Sequence, residues 1–159
     1  MLQRLTQQGT VRSERVGSTF AYRLNRDHLA AEHIIGLARL QETFLARLEN
    51  RLRSWEVPPV YAAVFGSAAR GSMTADSDLD LLLIRPESVA DGRWEKQVNE
   101  LVADVTRWTG NDARTLEFAA AELAARGHDE LVLRAVLDEG LTVAGTRAWL
   151  AKQFRKTKD

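Results

Sequence analysis

Residues 64–84 form the stretch VFGSAARGSMTADSDLDLLLI, which decides both the fold and the chemistry expected of the chain. Two apolar runs, residues 60–65 and 79–84, have the length and composition of buried β-strands. Between them, Gly66 and Ser67 mark a turn, and residues 68–71 begin a short helix. A strand, a turn, a short helix and a second strand in this order predict an α/β domain.

Asp78 and Asp80 lie two positions apart at the start of the second strand. Because side chains alternate between the two faces of a strand, both carboxylates are expected on one face. Carboxylates that share a face repel each other unless a cation lies between them. Oxygen ligands with open positions suit Mg²⁺, whose coordination is completed by substrate phosphates. The pair therefore indicates a magnesium site, with capping of backbone amides as the structural alternative.

Gly66 and Ser67 directly follow the first strand and indicate a phosphate site. Glycine lets the backbone approach a phosphate, the serine hydroxyl can donate to its oxygens, and the N-terminus of a helix favours an anion. Arg70 adds positive charge, and Ser77 lies next to the first aspartate. The Gly-Lys-Ser/Thr ending of a Walker loop is absent, and the spacing is not a dinucleotide fingerprint. Gly66, Ser67, Arg70 and Ser77 are therefore the candidate nucleotide-binding residues.

Gly-Ser, ten intervening residues and Asp-x-Asp in an apolar strand resemble the pattern of the nucleotidyltransferase superfamily typified by DNA polymerase beta, specifically its minimal branch. The resemblance covers residues 58–145. It implies an α/β (α+β) nucleotidyltransferase fold with a short mixed sheet backed by helices. It also implies two Mg²⁺ ions held by Asp78 and Asp80, and an NTP, expected to be ATP, held at Gly66 and Ser67. The metal ions would assist in-line attack at the α-phosphorus.

The chain departs from this family at the third metal carboxylate, which the family commonly has on the next strand. The expected strand, residues 113–118, has Arg114 at the aligned position and Glu117 three residues later. In a regular strand Glu117 faces the other side, unless a bulge re-aims it. Glu117 is therefore a candidate catalytic residue, with a surface or capping role as the alternative.

The remaining sequence predicts four parts. Residues 1–26 form a short helix end and a β-hairpin that resembles the wing of a winged helix-turn-helix. Residues 27–57 form one long connecting helix capped by Asp27, residues 58–146 form the transferase domain, and residues 147–159 form a basic helix or tail. The hairpin is either a remnant of a DNA-binding module or a sign that the coding start lies upstream, and packing or dimerisation is the alternative to DNA binding.

Composition excludes several classes of protein. The 159 residues are 45% apolar and include no cysteine, which excludes disulfides and thiolate metal sites. No apolar run is long enough to span a membrane, so a cytoplasmic protein without a membrane partner is expected. Residues 1–26 carry five arginines against Glu14, whereas residues 54–146 carry 16 acidic and 8 basic residues. The basic ends could contact polyanions, although solvated surface charge is the simpler interpretation.

Three functions fit these observations. The first is a free-standing transferase that acts on a small molecule or an RNA end. The second is an antitoxin that adds AMP to a partner nuclease of the HEPN class, as members of this branch with the same spacing do. The third is a transcriptional regulator in which the transferase fold senses a nucleotide or is inactive.

The apolar stripe of the long helix suggests a homodimer. The helix would be roughly 40 Å long, which exceeds the body of a minimal transferase domain. A second copy is therefore expected to cover part of the stripe, with Phe44 and Leu48 near the contact. In the alternative, a monomer, the chain's own Phe20/Tyr22 hairpin covers the stripe.

Overall fold

The computed structural model describes residues 1–87, 89, 92–126 and 131–155. The chain forms two compact units, Met1–Phe44 and Leu45–Asp159. The elements of the described part, in chain order, are α1 (Leu2–Gln7), β1 (Val11–Val16), β2 (Thr19–Leu24), α2 (Ala31–Ala38), α3 (Leu40–Arg53), β3 (Tyr61–Phe65), α4 (Gly66–Ala69), β4 (Leu79–Arg85), α5 (Arg93–Thr109), β5 (Ala113–Ala119), α6 (Ala120–Arg126), α7 (Leu131–Glu139), β6 (Leu141–Ala144) and α8 (Arg147–Arg155).

The first unit contains the expected β-hairpin. Strands β1 and β2 pair antiparallel, with Val11 opposite Leu24 and Val16 opposite Thr19. This register leaves two residues in the turn, the first of which, Gly17, has a φ of +61°. Two-residue hairpin turns with glycine at the first central position follow the twist of the flanking strands.

The long helix expected over residues 27–57 is two helices, so the prediction of one continuous helix is wrong. Arg39 separates α2 from α3. Its backbone departs from right-handed helical geometry, with a φ of −99° and a ψ of 11°. Its N–H donates to the carbonyl oxygens of both Ile35 and Gly36, at 3.1 Å each. A glycine inside a helix costs roughly 1 kcal/mol relative to alanine, so Gly36 weakens the turn that precedes the break.

The start of α2 also differs from the expectation, which placed the N-cap at Asp27. The side-chain oxygen of Asn25 accepts the backbone N–H of Asp27 at 3.3 Å, and the Asp27 carboxylate pairs with Arg12 at 2.6 Å. These contacts hold Asp27 in a turn before the helix. The N-cap is Ala30, whose N–H donates to Nδ1 of His28 at 3.1 Å.

The second unit is built on a mixed four-stranded sheet with the strand order β5-β4-β3-β6. Strand β3 lies antiparallel to β4 and β6, whereas β4 and β5 are parallel and are connected through α5. A parallel pair requires a crossover connection of this kind. The architecture confirms the predicted fold class, α/β (α+β) with a short mixed sheet backed by helices.

Both faces of the sheet are covered. One face carries Tyr61, Ala63, Leu82 and Ile84, which pack against α6, α7 and α8 through Leu123, Leu133, Val136 and Leu150. The alternating residues of β4, Leu81 and Leu83, are buried on the other face, where Glu117, in register with Leu83, accepts a hydrogen bond from Trp94 of α5. Because β4 is buried on both faces, its sequence is a continuous apolar run after Asp80.

Leu48 and Leu52 of α3 are fully buried within the chain. Arg51 of the same helix donates to Asp104 of α5 at 2.8 Å, so α3 lies beside α5 in this unit. Since Leu48 is core, it is not available to a second copy, and the prediction that it lies near a dimer contact is wrong. In the part of the chain that the structure describes, no helix has both the length and the apolar character needed to cross a membrane.

Candidate active site

The expected phosphate turn and the expected metal ligands meet at one end of the sheet. Phe65, the last residue of β3, is directly opposite Asp80 of β4, and α4 begins at the next residue, Gly66. Gly66 has a φ of +69°, and a Cβ added to it would collide with Oδ2 of Asp80. Two features therefore disfavour any side chain at position 66. Its backbone is left-handed, and the Asp80 carboxylate occupies the space that a Cβ would need.

Asp78 and Asp80 lie on one face of the sheet edge, as the two-residue spacing predicts. Asp78 immediately precedes β4 and Asp80 is its second residue, and both are half-buried. Burial raises the pKa of the Asp80 carboxyl, and the negative charge of Asp78 raises it further, while Arg114 and Arg70 oppose the shift. The ionised pair is thus destabilised, as expected where a cation would complete the site.

Arg114 lies beside the two aspartates. Strand β5 runs parallel to β4 with Arg114 in register with Asp80. A terminal nitrogen of its guanidinium (NH1) lies 2.9 Å from Oδ2 of Asp78. The position that the sequence alignment assigns to a third carboxylate therefore carries a positive charge that is ion-paired with one of the other two.

Glu117 is not brought to the aspartates. It is in register with Leu83 and lies on the opposite face of the sheet, because it is three residues from Arg114 in a regular strand. Its Oε2 accepts the indole N–H of Trp94 at 2.6 Å, and its Oε1 accepts the hydroxyl of Thr115 at 3.2 Å. This geometry gives Glu117 the role of anchoring α5 to β5 and offers no path to a substrate on the aspartate face.

The other candidate nucleotide-binding residues surround the same turn. Ser67 is the second residue of α4, and Arg70 follows the helix, with its guanidinium 3.4 Å from Glu139 of α7. The Ser77 hydroxyl accepts the backbone N–H of Thr74 at 3.0 Å. Ser67 and Arg70 are therefore placed at the turn, while Ser77 stabilises the loop that leads to Asp78.

Sequence reasoning did not identify Asn111, which holds that loop in place. Its side-chain NH₂ donates to the carbonyl oxygens of Thr74, Ala75 and Ser77, at 3.1, 3.2 and 2.9 Å. The backbone N–H of Leu79 donates to the carbonyl oxygen of Asp112 at 2.8 Å. The sequence signal at this position, Gly-Asn after an apolar stripe, indicated only the end of a helix.

The donor set fits one magnesium ion whose coordination is shared with a substrate. Among the residues that the structure describes, no three Asp, Glu, His or Cys side chains are grouped as a metal site. Mg²⁺, however, commonly binds through one or two carboxylates plus phosphate oxygens and water. Asp78 and Asp80 would provide those two carboxylates, and the turn at Gly66 lies directly beside Asp80.

Several solved structures are similar to this chain, and the likeness to the first of them supports the fold. A chain in the crystal structure of a mutant MntA–HpeT toxin–antitoxin pair is 16% identical, with a TM-score of 0.51, over 71% of this chain and 82% of that chain. A toxin–antitoxin structure with AMP-PNP gives 20% identity and a TM-score of 0.49, over 74% and 84%. A tri-AMPylated Shewanella oneidensis HEPN toxin in complex with MNT antitoxin gives 16% and 0.49, over 74% and 83%.

The comparison with curated protein sequences returned no match. Residues 45–121, by contrast, match the nucleotidyltransferase domain family. The match begins at the first residue of the second compact unit and includes Gly66, Asp78, Asp80 and Arg114. Segment 45–121, which contains the Gly-Ser turn and both aspartates, is thus similar to the nucleotidyltransferase domain family.

Proposed function

We propose that this chain is a Mg²⁺-dependent nucleotidyltransferase that moves a nucleoside monophosphate from an NTP, with ATP as the expected donor, to a hydroxyl acceptor. The observation that carries this proposal is the contact between Gly66 and Asp80, which sets a phosphate-binding turn directly against a metal-type carboxylate. A structural Asp-x-Asp would not require a side chain to be excluded from the neighbouring turn.

Each residue of the site has a role in this reaction. Gly66 and Ser67 bind the triphosphate at the start of α4, and Arg70 supplies positive charge beside it. Asp78 and Asp80 hold the magnesium ion, which supplies charge stabilisation to the phosphates when bound. The acceptor oxygen forms a bond to the α-phosphorus while the bond to the bridging oxygen of pyrophosphate breaks. The hydroxyl proton passes to solvent, and pyrophosphate leaves.

We propose an AMP-transferring antitoxin as the biological form of this activity. The fold shared with the MntA–HpeT chain supports this choice, as does the resemblance of the Gly-Ser/Asp-x-Asp spacing to antitoxins of the minimal branch. The acceptor is then a hydroxyl side chain on a partner protein of the HEPN class.

A second candidate is a nucleotide sensor with weak catalysis. Arg114 favours it, because a guanidinium at 2.9 Å from Asp78 cannot act as the base that activates an acceptor hydroxyl. The sensor would bind the nucleotide at the same site as the transferase does. It would differ in transferring little or no nucleoside monophosphate to an acceptor.

Transfer of label from α-³²P-ATP distinguishes the two candidates. The purified chain is incubated with Mg²⁺, labelled ATP and a HEPN-class protein encoded in a neighbouring reading frame. We expect label on the partner, and we expect Asp78→Asn and Asp80→Asn to abolish it while Asp27→Asn, a matched change in the first unit, retains it. Labelling that survives both site variants would refute the transferase; nucleotide binding without labelling would favour the sensor.

DNA binding by the hairpin and homodimerisation remain predictions. Arg15 and Arg23 lie on exposed strands of the hairpin, and Leu37 and Leu40 are exposed on α2 and α3. Fluorescence anisotropy with a labelled duplex, at two salt concentrations, tests the first prediction. Sedimentation equilibrium of the wild type and of Phe44→Glu tests the second, and a mass of 17.8 kDa for both would exclude the dimer.

A further inference from the structure

We infer that Arg114 limits this site to one divalent cation and itself provides the second positive charge beside the substrate phosphates. The inference rests on the proposed function, because it assumes that Asp78 and Asp80 bind a metal ion together with a nucleotide. Its starting point is the ion pair between Arg114 of β5 and Asp78, at 2.9 Å.

The number of available oxygen ligands supports one ion. In two-metal sites the ions lie roughly 3.5–4 Å apart and are bridged and flanked by several carboxylates. Here the site face carries the carboxylates of Asp78 and Asp80, and the third-ligand position carries Arg114 instead of a carboxylate. Within the described residues, Glu117 is turned to Trp94 and Glu139 is paired with Arg70, so neither adds a ligand.

The charge of Arg114 acts against a second ion as well. The guanidinium is always protonated in proteins, so its charge cannot be removed by a change of pH. A unit positive charge at ~5 Å from a divalent cation lowers the affinity for that cation by about tenfold, even when the solvent screens the interaction as bulk water does. A second Mg²⁺ would have to bind at about that distance, because Arg114 occupies the third-ligand position.

Arg114 is also able to leave Asp78 for a phosphate. Its side chain is 68% exposed, and an ion pair of such exposure contributes little to stability. A guanidinium binds two oxygens of a phosphate through parallel N–H donors, so a triphosphate is able to replace Asp78 as the partner of Arg114. Nucleotide binding is therefore expected to transfer Arg114 from Asp78 to the triphosphate, which frees the carboxylate for the metal ion.

Equilibrium dialysis with Mn²⁺ and radiolabelled α,β-methylene-ATP measures directly how many Mn²⁺ ions bind per nucleotide. Bound manganese is quantified by metal analysis and bound nucleotide by radioactivity, with no turnover involved. We expect one Mn²⁺ per nucleotide for the wild type and two for Arg114→Asp, which restores a third carboxylate. Arg39→Asp makes the same change in charge on an exposed helix junction of the first unit, and we expect it to keep a ratio of one.

Arg114→Ala removes the guanidinium without adding a ligand and covers the case in which Arg114→Asp does not fold. In dialysis without nucleotide, we expect it to bind Mn²⁺ about tenfold more tightly than the wild type does. A ratio of two in the wild type, or a ratio of one in a folded Arg114→Asp variant, would overturn the inference and leave the proposed function intact. Failure of the wild type to retain any nucleotide would overturn the proposed function as well.

Discussion

The two units of the chain differ in how they are stabilised. Of the buried apolar residues in the described part, only Ala31 belongs to residues 1–44, and all the others belong to the second unit. Large apolar side chains such as Phe20, Leu29 and Leu37 are exposed in the first unit. The unit that carries the candidate site thus has its own hydrophobic core, whereas the first depends on its hairpin ladder and on local hydrogen bonds. A rigid core is what holds the turn at Gly66, Asp80 of β4 and Arg114 of β5 in one geometry.

Truncation of a leucine in each unit tests this difference with the largest expected effect. Leu82→Ala removes a fully buried side chain from the centre of the sheet and should lower the free energy of unfolding by about 2–5 kcal/mol. Leu37→Ala removes a side chain that is 67% exposed and should change the free energy of unfolding by less than about 0.5 kcal/mol. Urea unfolding monitored by circular dichroism measures both, and similar losses in the two variants would show that the first unit has a core of its own.

Glycine-to-alanine changes sharpen the comparison at the site. Gly66 and Gly17 both have positive φ, +69° and +61°, so alanine costs roughly 1–2 kcal/mol of backbone strain at either position. Only at Gly66 does the new Cβ also collide with Asp80, since at Gly17 nothing lies within 4 Å. We therefore expect Gly66→Ala to weaken ATP binding by at least tenfold and Gly17→Ala to leave it unchanged.

Isothermal titration calorimetry with ATP and Mg²⁺ provides this measurement, and thermal unfolding of both variants controls for lost structure. Equal loss of ATP affinity in the two variants would mean that the Gly66 turn is not the phosphate site. An unchanged affinity in Gly66→Ala would mean that the turn tolerates displacement of Asp80.

The sequence allowed prediction of those features that depend on local rules. The side chains of Asp78 and Asp80 share a face because strands alternate, and the same alternation correctly placed Glu117 on the other face in a regular strand. The hairpin turn followed from Gly17 and its neighbour. Each of these depends on residues fewer than five positions apart.

Features that depend on distant partners could not be predicted in this way. Asn111 bonds to carbonyl groups 34 to 37 residues away, and Arg70 meets Glu139 across 69 residues. The break at Arg39 escaped prediction for another reason: apolar periodicity continues through it, whereas the backbone of Arg39, with a ψ of 11°, departs from helical geometry. The sequence pattern therefore located the candidate site but did not predict the long-range hydrogen bonds that stabilise it.

Asparagine-to-alanine changes compare the hydrogen bonds that hold one loop in each unit. Asn111 fixes the loop before Asp78, and Asn25 donates to the carbonyl oxygen of Gly9 at 2.8 Å in the first unit. Asn25→Ala removes two side-chain hydrogen bonds and Asn111→Ala removes three, so the stability losses should be about 1–2 and about 1–3 kcal/mol, at roughly 1 kcal/mol net per bond. Only Asn111→Ala should weaken ATP binding, by several-fold, because the loop that positions Asp78 loosens. Unfolding and calorimetric titration measure the two effects, and loss of ATP affinity in Asn25→Ala would contradict the assignment.

The smallest expected difference concerns two aspartates in ion pairs, Asp104 of the second unit and Asp27 of the first. Asp104 accepts from Arg51 at 2.8 Å, and this hydrogen bond is the main cause that lowers the pKa of its carboxyl, with burial opposing it and Arg107 adding to it. Asp27 pairs with Arg12, but their side chains are 82% and 65% exposed. Asp104→Asn should therefore cost about 1 kcal/mol at neutral pH, and Asp27→Asn close to zero.

The pH dependence of that cost separates an ionic contribution from simple packing. Because the folded-state pKa of Asp104 lies below its value in the unfolded chain, about 3.9, the stabilisation is complete above that value. It is lost as the pH falls through the folded-state pKa, where the carboxyl becomes protonated in both states. The difference in unfolding free energy between wild type and Asp104→Asn should accordingly be constant from pH 7 to about pH 5 and shrink below about pH 4, as measured by urea unfolding at each pH. A difference that persists unchanged at pH 3 would show that Asp104 stabilises α5 through packing, and the contrast with Asp27 would then reflect burial rather than charge.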